Sequence, residues 1–104
     1  MAAGGEFSGR GNAEHCMIER TVTIVNRKGL HTRPAASLVK TAAKFQSELT
    51  IRKDNLEING KSIIGVMTLA AEQGSTLVLV FDGPDEEEAC RVMEDLFRRG
   101  FDEE

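Results

Sequence analysis

Between residues 18 and 24, Ile18, Val22 and Ile24 are set against Glu19, Thr21 and Thr23, the period-two signature of a strand buried on one face. Asn26 to Gly29 ends the run. From Pro34 the period changes. Ala35, Leu38, Val39, Ala42 and Phe45 recur at helical spacing, and a proline suits a first turn because its missing N–H would have no partner there. Leu49 and Ile51, then Leu56 and Ile58, alternate on either side of Lys53-Asp54-Asn55 and predict a hairpin. Ser62 is placed to cap a short helix over residues 63–69. The most continuous apolar run, Thr76 to Phe81, predicts a central strand that Asp82-Gly83-Pro84-Asp85 stops. A last helix has Asp85 to Glu88 in its first turn, Arg98 and Arg99 in its last, and Gly100 to terminate it. Its predicted buried stripe is Ala89, Val92, Met93, Leu96 and Phe97.

The order βαββαβα predicts an α+β fold, an open-faced sandwich of a four-stranded antiparallel sheet with three helices on one face. Residues 1–16 are rich in Gly and small polar residues without an apolar period and are expected to be a disordered extension. Glu6-Phe7 is a common translation of a restriction site and Met17 would make a natural start, so this stretch also reads as a vector-derived segment ahead of a domain over 17–104.

At 104 residues the chain suits one domain with a thin stability margin. Net charge is −4, from 13 Lys plus Arg against 17 Asp plus Glu, so no broad basic field exists to hold nucleic acid. Five Phe without Trp or Tyr offer no base-stacking platform. Cys16 and Cys90 form no CxxC pair and are read as unpaired thiols in a reducing compartment. The chain lacks an apolar run of membrane-spanning length and a secretory h-region, which predicts a cytoplasmic protein with no membrane insertion. His15-Cys16 lacks further ligands, and no metal or cofactor is expected.

The chemistry concentrates at Gly29-Leu30-His31-Thr32-Arg33-Pro34-Ala35, where the strand pattern gives way to a helix pattern. A histidine before a helix is, taken alone, more often a cap or a surface residue. Here the amides of a first helical turn and the positive end of the macrodipole support an anion at its imidazole. Arg33 adds a fixed cationic fork suited to phosphate oxygens, and an unprotonated imidazole nitrogen can attack phosphorus. His31 is therefore the candidate phosphoryl acceptor and Arg33 the group that steadies the phosphate.

Further on, Gly60-Lys61-Ser62 looks superficially like the end of a Walker A loop, but Asn55 stands where that motif needs glycine. Ser62 has a plain role as helix cap, and a phosphate there is also electrostatically welcome. Ile63, Ile64, Val66 and Met67 crowd a helix too short to bury them all.

The His31 string resembles the phosphorylation-site motif of the HPr family, phosphocarriers of the bacterial phosphoenolpyruvate-dependent sugar phosphotransferase system. Asn59-Gly60-Lys61-Ser62-Ile63-Ile64-Gly65-Val66-Met67 is similar to that family's regulatory-serine segment. Over about residues 17–97 the resemblance implies a protein that is no enzyme in itself. It would take a phosphoryl group from phosphorylated enzyme I onto Nδ1 of His31 and deliver it to sugar-specific enzyme IIA domains. It also implies Ser62 as a substrate of HPr kinase/phosphorylase, and a docking face shared by the start of the first helix and the second helix. Thr32, Lys40, Lys44, Ile63 and Met67 are its candidate partner-binding residues, on a monomer.

Two alternatives stay open within the family: a nitrogen-related regulatory phosphocarrier, and a corepressor-like binding module acting through phosphoserine. A purely structural ferredoxin-like domain is a third reading, against which the intact His31 motif weighs.

Overall fold

The computed structural model describes residues 17–102, and Cys16, His15 and the leading segment, with the expectations placed on them, lie outside these. Strand β1 (Ile18–Thr23) leads through a turn into helix α1 (Thr32–Ala42). The hairpin β2 (Glu48–Lys53) and β3 (Leu56–Asn59) follows, then α2 (Ile63–Thr68), β4 (Thr76–Asp82), α3 (Glu86–Arg98) and a closing 3₁₀ turn at Gly100–Asp102. All pairings are antiparallel in the order β1-β4-β2-β3, which makes β4 an inner strand as its apolar run predicts.

Period-two alternation turns one face of the sheet toward the helices. Val22, Leu49, Ile51, Leu77, Leu79 and Phe81 are buried on it against Leu38, Met93 and Phe97 from the helices. The opposite face is open. There Glu19 of β1 and Arg52 of β2 meet at 2.7 Å over the half-buried Val78 and Val80 of β4 between them.

Several boundaries differ from the sequence pattern, each for a local reason. Ile24 is buried but falls just past β1, where its N–H has turned to the Ser75 carbonyl. Arg20 interrupts the apolar series of β1: it stands opposite buried Leu79 and reaches out to Glu94 of α3 at 3.7 Å. Phe45 packs on the core from the loop after α1. In α3 the stripe is corrected at one position. Cys90, a free thiol, is buried at 4% exposure, whereas Val92 is half-buried. Burial, with Glu94 beside it, pushes the Cys90 thiol above its usual range.

Asp85 is the N-cap residue of α3 rather than part of its first turn, and its carboxylate serves another element. It accepts the backbone N–H groups of Gln46 and Ser47, both at 2.9 Å, and the Ser47 hydroxyl, clamping the loop after α1 to the start of α3. The Ser47 hydroxyl and then the Gln46 amide hold its carboxyl below the usual value of 3.8. A carboxyl lowered in the fold stabilises it above the unfolded value, and that contribution is lost as pH falls below it. Asp85→Asn is therefore expected to melt at a lower temperature than the wild type at pH 7, with the gap closing below about pH 4. Thermal melts from pH 7 to pH 2.5 check this, and a gap independent of pH would assign the clamp to shape rather than charge.

Candidate functional site

His31 occupies the N-cap of α1 with extended backbone, φ −86° and ψ −166°, and its side chain makes no capping bond. Its carbonyl accepts the Ala35 N–H at 2.9 Å, the first rung of the helix. Pro34 has no N–H, so the amides of Thr32 and Arg33 precede that rung, at the positive end of the helix. The residues flanking this segment are anchors: Leu30 and Pro34 are buried, while His31 is half-buried and Thr32 and Arg33 are exposed. The fold thus pins the chain on both sides of the imidazole.

The approach to His31 depends on Gly29, whose φ of +71° is left-handed. Its N–H reaches the Asn26 carbonyl at 3.2 Å, and Asn26 Nδ2 donates to the Gly29 carbonyl at 2.7 Å. Leu30 N–H donates to the Ala71 carbonyl at 2.8 Å. A Cβ on Gly29 would stand 2.4 Å from that same oxygen, so the loop lies directly on the backbone that leaves α2.

Ser62 is the N-cap of α2, its hydroxyl accepting the Gly65 N–H at 3.1 Å and its carbonyl accepting the Val66 N–H at 2.9 Å. The neighbouring Lys61 donates through Nζ to the Phe45 carbonyl at 2.8 Å, just beyond the far end of α1. With the end of α2 beside Gly29, the two helices pack antiparallel. His31 and Ser62 consequently lie toward opposite ends of α1, an 11-residue helix about 16 Å long.

Among the apolar residues of α2, only Val66 is buried. Ile63 and Met67 are 39% and 42% exposed, and Ile64 reaches 78%, the largest value among the exposed hydrophobics. Ile64 is absent from the candidates chosen by sequence, although its spacing signals it: two residues from Val66 on a helix is the opposite side. Lys40 and Lys44 are exposed, one turn apart along α1 and just past its end. Arg27 and Lys28, exposed in the turn before Gly29, are likewise absent from those candidates. Their signal is an acid-free stretch, since no Asp or Glu occurs from Arg20 to Ser47.

An imidazole presented at the start of a helix, two residues before an arginine and on a four-stranded sheet packed with helices, marks a small carrier-type α+β domain. The family described as PTS HPr component phosphorylation site matches residues 18–99. The chain belongs to this HPr family, the phosphocarriers of the phosphotransferase system. It is 47% identical over 88 residues to the phosphocarrier protein HPr of Treponema pallidum (strain Nichols), covering 85% of this chain and 100% of that one. The HPr-like protein Crh of Halalkalibacterium halodurans is 44% identical over 77 residues, 74% of this chain and 92% of its own. In three dimensions the crystal structure of HPr-C-His from Thermoanaerobacter tengcongensis superposes with a TM-score of 0.81 at 47% identity, over 84% of this chain and 98% of that one.

Proposed function

We propose that His31 accepts a phosphoryl group from phosphorylated enzyme I, charged by phosphoenolpyruvate, and hands it to enzyme IIA domains. The observation that carries this reading is the presentation of the imidazole: N-cap position, amides ahead of the first rung, and Arg33 two residues on. Attack by the imidazole nitrogen forms a P–N bond as the donor's bond to phosphorus breaks, and the donor histidine leaves with its electron pair. Such a transfer runs across an interface, so no enclosed cavity is required. The test is incubation with enzyme I and phosphoenolpyruvate, which should place one acid-labile, base-stable phosphate on the chain and release it to an enzyme IIA domain. No uptake from any bacterial enzyme I would overturn the carrier reading.

Arg33 is exposed and contributes charge rather than core packing. Arg33→Ala is expected to slow transfer roughly ten- to hundredfold, the equivalent of about 1.5–3 kcal/mol for a charge-assisted hydrogen bond, with folding barely changed. Rapid-quench transfer rates equal to wild type would reduce Arg33 to a surface charge.

Ser62 supports a second control point, as a substrate of HPr kinase/phosphorylase on the docking side of α2. A second reading, a corepressor-like module acting through this serine, draws support from the likeness to Crh, which a solved structure names as the Bacillus subtilis catabolite repression HPr. Ser62→Asp keeps an acceptor at the cap and adds negative charge beside Ile63. It is expected to bind enzyme I a few-fold more weakly, with the deficit shrinking as salt rises. Calorimetric titration at low and moderate salt measures it, and unchanged affinity in the folded variant would leave Ser62 a cap alone with respect to enzyme I.

A further inference from the structure

We propose that Ala70, the residue that turns the chain out of α2, is a positioning residue for His31, a role that rests on His31 being the phosphoryl acceptor. Ala70 has φ +49°, left-handed backbone that an alanine adopts at a cost because its Cβ crowds the following carbonyl. Its N–H closes the end of α2 on the Met67 carbonyl at 3.1 Å. The next residue, Ala71, is buried at 4% exposure and supplies the carbonyl that holds Leu30 N–H.

The segment that Ala70 starts forms the backbone wall behind the His31 loop. Ala71 holds Leu30 at one end of the loop, and at the other Ile24 exchanges bonds with Ser75 at 2.9 Å and Gly74 at 2.8 Å. Between them, Gln73 Nε2 donates to the Val25 carbonyl at 3.1 Å. Gly29 rests on this wall with no room for a methyl, and buried Leu30 immediately precedes His31. A movement of the Ala71 carbonyl therefore passes to the imidazole through one hydrogen bond and one residue. The left-handed exit at Ala70 brings that carbonyl into place, so the conformation of Ala70 sets where His31 is aimed.

The full chain carrying Ala70→Gly or Ala70→Val tests this by three measurements: amide exchange, His31 ring resonances, and transfer from charged enzyme I with turnover and KM separated. Glycine takes φ +49° without the Cβ conflict, so exchange at Leu30 should slow about fivefold while Gly60, bonded to Leu49 ahead of α2, keeps its rate. Equal slowing at both amides would make Ala70 a general stabilising position and overturn the proposal. Valine resists a positive φ, so Ala70→Val should shift the His31 ring resonances and lower turnover about tenfold with KM within about twofold, whereas Ala70→Gly keeps wild-type turnover. A folded Ala70→Val with wild-type turnover and unmoved ring resonances would also overturn it. Should the valine variant fail to fold, the glycine exchange arm decides alone. Should the wild type accept no phosphate, the carrier reading fails by itself, and the exchange and ring-resonance arms still judge the positioning.

Discussion

His31→Ala is expected to take up no phosphate from enzyme I and phosphoenolpyruvate, a complete loss where the wild type carries one acid-labile group. The replacement removes the nitrogen nucleophile at the start of α1 and leaves the backbone rung and the buried anchors of the helix in place. Leu30 and Pro34, the buried anchors on either side, remain, and the carbonyl of residue 31 still accepts the Ala35 N–H. A cooperative melt close to wild type would accompany the lost activity. Retention of the same label by the folded variant would place the acceptor elsewhere.

Gly29→Ala should have the largest effect on folding and should impair transfer with it. Two costs combine there: an L-residue held at φ +71°, and a methyl 2.4 Å from the Ala71 oxygen and 2.9 Å from Glu72 Cα, both backbone atoms. Together they amount to roughly 2–5 kcal/mol, against a typical domain stability of about 5–15 kcal/mol. The thermal midpoint should fall by at least about 10 °C for a domain of this size. Gly74→Ala separates the two costs, because φ there is +90° but nothing lies within 4 Å of the added carbon. It should lose only about 1–2 kcal/mol and leave transfer untouched. Equal losses at the two glycines in denaturant titrations would show that the contact with Ala71 is not what Gly29 is needed for.

Much of this architecture is legible from periodicity because its helices lie on one face. A one-sided sheet must alternate, as β2 does with Leu49 and Ile51, and a helix lying on it must carry a stripe, as α1 does with Ala35, Leu38 and Ala42. His31, Arg33 and Ser62 are legible for a related reason, since caps and first turns demand particular residue types at particular offsets. What alternation cannot show is which element a polar group serves. Asp85 looks like one more acid in a first turn, yet its carboxylate holds amides that come 38 and 39 residues earlier in the chain. Arg20 occupies an inward register because the margin of the helix layer leaves it room to reach Glu94. Cys90 takes the place of Val92 in the buried stripe through the way α3 lies against β1 and β4, which no one-dimensional spacing contains. Ala70 gives no turn signal at all, because alanine is an uncommon choice for a left-handed exit.

The strand order β1-β4-β2-β3 also has a temporal meaning. A ribosome delivers β1 before β4, its sole strand neighbour among the described residues, with every element from α1 to α2 made between them. The chain reaches residue 59 with its hairpin available while Ile18–Thr23 still has no strand to join. Leu30 waits likewise for the Ala71 carbonyl, and Ile24 for Ser75. Pairing then closes late and over long distance, so the loop that aims His31 acquires its backing only as the last third of the polypeptide emerges. A nascent chain stopped before Ala71 would already contain the whole Gly29–Ala35 string and still lack the carbonyl that holds Leu30 behind it.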